Sequence, residues 1–469
     1  MRQAEKRTNL SAPVVSTAVT APPANHCPAP FGLDLPREPP PAFRMGPEMF
    51  SAINRKVKRW AIRQYKKRPL VLLSDTTLRD GAQMPGLRLM VEGRVRIAAA
   101  LARAGVHSID AGFPAAGAAE VDAVRQVVRA VNGPIFSVLA RALPGDVDLA
   151  ADALQDVSPL KKAVTLFIGT SPLHRRDKLR MDRPGVIDAV VRAVEHAQSA
   201  FELISFGAED ASRTEPEFLH RVYAEAIAAG ATSIGFTDTV GILTPDRAAD
   251  AVKRIQDQVT NIDDAMLAVH FHNDLGLATA NALACIQAGA NIVQGTVNGI
   301  GERAGNLAIE EVVLAMTLHP DQYGKEITAR PEALHGLSRV VAEVTGVEPA
   351  ANKPIVGRNI FRTETGIHQD GLLKHPDTYL PFRPEVVGAG PVELLLGRQS
   401  GRRAVRHQLQ NSGFEPTEEH VRLVLAYLKG DSFSPDEAAE IEGFLERIRP
   451  FLSRDEYVSR KNGCNGTAR

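Results

Sequence analysis

From Pro69 to about Val297 the chain repeats one pattern eight times. A short run rich in Val, Ile, Leu and Phe is followed by a longer Ala- and Leu-rich stretch with apolar residues at i, i+3 and i+4. The β-like runs fall at 70–74, 108–112, 135–139, 164–168, 203–207, 233–237, 267–272 and 292–297, and stretches such as 91–104 and 219–229 between them read as helix. Eight βα units in about 250 residues is the arithmetic of a TIM (β/α)8 barrel. An open doubly wound sheet is the other architecture this alternation permits, but no Gly-rich dinucleotide loop follows the first strand. In a barrel, chemistry sits where the strands end at their C-terminal face, so those ends are the places to search.

The flanks have a different character. Residues 1–44 are rich in Pro, Ala, Ser and Thr, run into Pro39-Pro40-Pro41, and lack the apolar periodicity that offsets ordering entropy; they read as disordered. They carry no continuous apolar core of a secretory signal, although their scarcity of acids has some transit-peptide character. Residues 45–69 form a basic lead-in, with Lys56, Lys58, Arg59, Arg63, Lys66, Lys67 and Arg68 interleaved with Phe50, Ile53, Val57, Trp60 and Ile62. That pattern reads as an amphipathic helix with solvated charges, or alternatively as a phosphate-binding arm. The barrel is expected over 70–320. After 319 the strand rhythm stops, and 321–469 reads as a linker and helical subdomains: helix over 334–345, an irregular segment over 352–371, and a polar helical tail over 417–452 broken at 432–435. No regulatory domain is expected to follow.

Composition narrows the function classes. Lys plus Arg and Asp plus Glu both number 55, so no global positive field exists to hold nucleic acid or anionic lipid. No window approaches ~18 consecutive apolar residues, so no membrane span is expected. The three scattered cysteines, Cys27, Cys285 and Cys464, fit a reducing, cytoplasmic setting rather than a disulfide framework, and Cys285, in an apolar helical run, reads as packing.

The chemistry-bearing residues cluster at strand ends. The seventh run closes on His270-Phe271-His272-Asn273-Asp274. Residues i and i+2 of a strand face the same side, about 6.5 Å apart at Cα, so both imidazoles can ligate one ion; alternatively one packs in the barrel and the other caps a carbonyl. The first strand runs into Asp75-Thr76-Thr77-Leu78-Arg79-Asp80-Gly81, placing an acid and an arginine at a nearby point of the mouth. The eighth is followed by Asn298-Gly299-Ile300-Gly301-Glu302-Arg303-Ala304-Gly305-Asn306, whose glycines allow close backbone approach and whose Asn306 offers an amide oxygen. Two imidazoles, a carboxylate and an amide oxygen suit Mg²⁺, Mn²⁺ or Zn²⁺.

These three segments in this order resemble the acetyl-CoA-dependent 2-alkylmalate synthases, the family of 2-isopropylmalate, homocitrate and citramalate synthases, over roughly residues 70–409. The resemblance implies one divalent metal held by Asp80, His270, His272 and Asn306, and acetyl-CoA and a 2-oxo acid as substrates. The reaction it implies is an aldol-type (Claisen) condensation followed by thioester hydrolysis. It implies substrate contacts from Arg79, Gln83, Thr239 and Gly207, with Arg79 stabilising the developing alkoxide and Glu209 lining the pocket. An ion pair of Arg79 with Glu302 or Asp75 is the purely structural reading, and Asp210 is left between a surface and a catalytic role. It further implies that His368, as general base or acid, and Tyr379, as its hydroxyl partner, reach into the barrel of a neighbouring subunit in a homodimer. The 397–401 turn matches a helix-starting segment of the family.

The acceptor is less sharply defined. Residues 167–174 and 236–239 look like 2-isopropylmalate synthase, whereas 208–213, 371–374 and 396–401 look more like homocitrate synthase. Gly207 stands where the former often carries serine. The expectation is therefore 2-isopropylmalate-type activity, with homocitrate-type or a specialised acceptor, such as one giving a 2-phosphonomethylmalate, as alternatives. An acyl-CoA lyase would need a catalytic thiol in a glycine-rich loop, and an inactive barrel would lack a metal ligand.

Overall fold

The computed structural model describes residues 47–453. The expected disordered stretch 1–44, Cys27, Cys464 and the chain beyond 453 lie outside the described residues.

The eight strands are β1 (Leu70–Asp75), β2 (Ser108–Asp110), β3 (Ile135–Arg141), β4 (Lys162–Gly169), β5 (Leu203–Glu209), β6 (Ser233–Asp238), β7 (Met266–Phe271) and β8 (Ile292–Gly295). Each pairs in parallel with the next, and β1 closes the ring against both β8 and β2, so the sheet is a barrel and the open-sheet alternative falls away. Strand side chains alternate between interior and helix layer. On β7, Leu267, Val269 and Phe271 are at most 1% exposed among the helices, which leaves Ala268 and His270 for the interior.

Helix α1 (Pro47–Lys66) precedes the barrel. Around it lie α2 (Val91–Arg103), α3 (Ala118–Ala130), α4 (Pro144–Ala153), α5 (Arg183–Ala197), α6 (Pro216–Ala229), α7 (Pro245–Gln258), α8 (Ala278–Gln287) and α9 (Ile309–Leu318). Several basic charges of α1 have protein partners: Arg63 binds Asp264 at 2.8 Å, Lys58 pairs with Glu202, and Lys66 donates to the Ile262 carbonyl at 2.9 Å. That favours the packed helix over the phosphate-binding arm.

Beyond the barrel come α10 (Pro320–Tyr323), α11 (Leu334–Thr345), α12 (Gly366–Lys374), α13 (Arg402–Asn411), α14 (Glu418–Lys429) and α15 (Pro435–Ile448). The strand rhythm does not stop entirely at 319. A two-residue strand, β9 (Glu326–Ile327), adds to β1, and β10 (Arg362–Thr363) pairs with β11 (Glu393–Leu394). Such pieces are too short to leave a periodicity. The break at 432–435 is a designed restart: Ser434 and Glu437 form a reciprocal capping box with Pro435 at the first helical position. Helices α13 to α15 enclose their own small core, including Val405, Val421, Val424, Phe444 and Ile448. Gly401 caps α13, as the 397–401 turn suggested. Among the described residues no helix is long and apolar enough to cross a membrane.

Candidate metal centre and active site

The seventh strand ends with His270 on the interior face and His272 just beyond it, and their Nε2 atoms face each other at 3.4 Å. His270 is fixed from behind. Its Nδ1 lies 2.9 Å from Oε1 of Gln294, its register partner on β8, so Nδ1 carries the hydrogen and the Nε2 lone pair is turned inward.

After β1 the backbone N–H groups of Arg79, Asp80 and Gly81 all reach the Thr76 carbonyl, winding the segment into a tight turn. The turn places Asp80 Oδ2 3.8 Å from His270 Nε2. Asp80, His270 and His272 are all buried, with their ligand atoms within 4.8 Å of one another. Cations bound at about 2.1 Å hold neighbouring ligands roughly 3 Å apart, so modest inward motion lets the three atoms share one ion.

Asn306 arrives from the eighth loop, bridged to His272 and hydrogen-bonded through its Nδ2 to Asp80 Oδ1 at 2.8 Å. Its own Oδ1 is buried with no hydrogen-bond partner, an acceptor that a cation would satisfy. Two glycines make that loop possible. Gly301 (φ +150°) and Gly305 (φ +83°) pass so close to the Asn306 amide and the Gly299 carbonyl that a Cβ would collide with them. Gly301→Ala is therefore expected to displace Asn306 and weaken divalent-metal binding about tenfold or more, measured by calorimetric titration with Mn²⁺.

Charge is arranged to keep the three side chains Asp80, His270 and His272 unprotonated. Burial alone would raise the Asp80 carboxyl, but Arg79 and the two imidazoles hold it well below the usual carboxylate range. Burial pushes His270 down to about 3 and lowers His272, so both imidazoles are neutral at pH 7. Arg79 pairs with neither Glu302 nor Asp75: its Nη1 reaches Asp80 Oδ2 at 2.5 Å and its Nε reaches Asp110 Oδ2 at 2.8 Å. The reason is register, because Asp110 ends β2, beside β1. Asp110 is fully buried, and its Oδ1 has no hydrogen-bond partner.

The opposite wall is built by β5 and β6. Glu209 receives Lys178 Nζ at 2.8 Å on both oxygens, and His174 Nδ1 stands 3.4 Å away; both partners lie on a π-helical turn (His174–Leu179) after β4. Thr239 Oγ1 accepts the Asp210 backbone N–H at 2.9 Å. Gly207 is buried, in register with Phe167 and Gly235, and a Cβ there would meet only the Leu166 carbonyl at 3.9 Å. Gln83 is exposed on the loop after β1. Asp210 has no surface role: it is fully buried in a left-handed turn (φ +62°) and paired with Arg213 at 2.8 Å.

His368 and Tyr379 lie on the appendage, exposed, with ring centroids 4.1 Å apart. They meet each other rather than the acid–histidine cluster. Sequence reasoning passed over Asp110, Gln294, Lys178 and any role for His174. Position at a strand end marks the first, but the other partnerships depend on register and loop path.

A (β/α)8 barrel with a histidine–carboxylate centre at its mouth defines the class. Residues 71–335 match the HMGL-like family model, and 355–432 match the model described as homocitrate synthase post-HMGL domain-like. The 2-isopropylmalate synthase of Pyrococcus furiosus is 43% identical over 359 residues, 76% of this chain and 72% of that protein. The 2-isopropylmalate synthase of Methylacidiphilum infernorum is 40% identical over 396 residues, 83% of this chain and 78% of that protein. Among solved structures, the hydroxymethylglutaryl-CoA lyase from Pseudomonas aeruginosa shares the fold, with a TM-score of 0.52 at 20% identity over 61% of this chain and 97% of that one. The chain belongs to the HMGL-like family, alongside these 2-isopropylmalate synthases.

Proposed function

We propose that this protein condenses acetyl-CoA with a 2-oxo acid and hydrolyses the resulting thioester, giving a 2-alkylmalate and CoA, with 2-oxoisovalerate as acceptor and 2-isopropylmalate as product. The observation that carries the proposal is the convergence of Asp80, His270 and His272 beside the unpartnered Asn306 oxygen and the Arg79 guanidinium. A divalent cation, Mg²⁺, Mn²⁺ or Zn²⁺, held by Asp80, His270, His272 and Asn306 would supply Lewis acidity at the acceptor's keto oxygen. Arg79 donates to the alkoxide that forms there, because guanidinium keeps its charge in a buried setting.

Thr239 orients the acceptor carboxylate. Its oxygen already accepts from Asp210 N–H, and neighbouring Thr237 gives its own hydrogen to the Ala208 carbonyl, so the Thr239 hydroxyl is the donor in the long 3.5 Å contact with Thr237 and can turn that hydrogen to the acceptor carboxylate instead. Glu209 bounds the pocket from β5, with its charge balanced by Lys178, and Gln83 closes it from the first loop. His368 takes a proton from the acetyl methyl so that this carbon can attack the keto carbon, and Tyr379 steadies the imidazole. Their exposure on the appendage supports delivery to a partner subunit, hence a homodimer, acting in the cytoplasm. A lyase with a mouth-facing thiol is disfavoured: among the described residues the free cysteine is Cys285, fully buried in α8 with its thiol pushed well up by burial.

The open space at Gly207 favours a second reading, an acceptor with a larger side chain of the homocitrate or phosphono type. Both readings are tested by free-thiol release from acetyl-CoA across a panel of 2-oxo acids with Mg²⁺ or Mn²⁺. Branched C5 acceptors are expected to lead, and Gly207→Ser to cost the longer acceptors about tenfold in kcat/KM relative to 2-oxoisovalerate. Silence across the whole panel would sink the synthase assignment.

A further inference from the structure

A buried ionic cluster links the segment after the barrel to the loop that carries Asn306. Glu310, near the start of α9, is 1% exposed, and its Oε2 accepts the backbone N–H of Asn298 at 3.1 Å. Asn298 opens the loop in a left-handed conformation (φ +61°) and exchanges hydrogen bonds with Ser338 of α11, at 2.6 Å from the serine hydroxyl and 3.2 Å to its carbonyl. One residue on, the Gly299 carbonyl accepts Asn306 N–H at 3.0 Å, and the Ile300 carbonyl accepts Asn306 Nδ2 at 3.1 Å. The backbone that Glu310 grips is thus the backbone that aims Asn306.

A carboxylate buried this deeply resists ionisation unless a cation faces it. Burial raises Glu310, and the main opposing influence is Lys353, which lies in the segment between α11 and α12, outside the barrel. Lys353 Nζ stands 3.4 Å from Glu310 Oε1 and 2.6 Å from Glu311 Oε1, while Glu311 also accepts Thr279 Oγ1 at 2.6 Å. The turn presenting Lys353 is held tightly. The Gly357 N–H bonds back to the Lys353 carbonyl at 3.0 Å, and buried Ile355 adopts φ +68°, which β-branched residues rarely tolerate without surrounding constraint.

We infer that Lys353 is a positioning residue for the metal centre: by neutralising Glu310 it lets that carboxylate hold the Asn298–Ile300 backbone, and so fixes where Asn306 points. The inference rests on the metal-centre part of the reading above. It is tested with Mn²⁺ alone, so a failure of the condensation assay leaves it separately decidable.

Calorimetric or paramagnetic-resonance titration of the full chain with Mn²⁺ is expected to show Lys353→Met binding about tenfold more weakly, with the circular-dichroism spectrum unchanged. Lys353→Arg keeps the cation and is expected within about twofold of the parent. Glu310→Gln added to Lys353→Met removes the stranded charge yet still offers Asn298 an acceptor, so the double variant is expected to recover most of the affinity, a coupling that independent sites would not give. A folded Lys353→Met that melts earlier but binds Mn²⁺ as the parent does would make Lys353 a strut only and overturn the inference. If that variant fails to fold, Ser338→Ala decides: about threefold weaker Mn²⁺ binding is expected from the lost Asn298 contact, and unchanged affinity overturns the inference.

Discussion

Asp80→Asn is expected to abolish CoA release and weaken Mn²⁺ binding at least a hundredfold while leaving the barrel folded. The substitution preserves shape and removes the one anionic group in the ligand set. Two neutral imidazoles and an amide oxygen then face the cation with no charge to offset its desolvation. The hydrogen bonding also turns hostile, because Asn306 Nδ2 and Arg79 Nη1, which donate to Asp80 at 2.8 and 2.5 Å, compete for a neutral amide. Folding survives because Arg79 retains Asp110 and because a lost charge-assisted hydrogen bond costs about 1.5–3 kcal/mol, a small part of a fold this size. The measurements are Mn²⁺ calorimetry and thiol release at saturating acceptor. A variant that binds Mn²⁺ within threefold of the parent would remove Asp80 from the metal centre.

What the sequence disclosed about this site follows from the distance over which each signal acts. His270 and His272 are readable because strand periodicity is local: two positions apart means one face, whatever the rest of the chain does. Asp80 is readable because it follows a strand end, where a barrel concentrates chemistry. The eighth strand reads two residues too long, because Asn298 turns left-handed to begin the Asn306 loop and the sheet stops at Gly295, a conformation that apolar patterning cannot encode. The pairs Arg79–Asp110 and His270–Gln294 span 31 and 24 residues and exist only through strand register, which a single sequence does not specify. From sequence Asp210 stands equally between a surface and a catalytic role. Its burial comes from the backbone turn that aims it at Arg213, a tertiary fact that polarity alone misjudges.

Arg79 is the residue where charge and shape are hardest to separate, and two substitutions divide them. Its guanidinium is a fork: Nε serves Asp110 and Nη1 serves Asp80, with the side chain only 10% exposed. Arg79→Ala strands two buried carboxylates and is expected to cost about 3–5 kcal/mol, lowering the melting temperature by several degrees and removing turnover with it. That result alone would not distinguish a structural arginine from a catalytic one. Arg79→Lys does, because lysine supplies the same charge from a single point and cannot reach both acids in the fork geometry. Part of the charge compensation survives, so the loss of stability is expected to be smaller than in Arg79→Ala, while kcat falls about 10²–10³-fold as the donor to the developing alkoxide is lost or misplaced. The KM for the 2-oxo acid should move far less, since the carboxylate contact through Thr239 is untouched. Steady-state thiol release and differential scanning calorimetry on both variants check this. An Arg79→Lys enzyme turning over within threefold of the parent would reduce Arg79 to a neutraliser of Asp80 and Asp110, and the alkoxide would need another stabiliser.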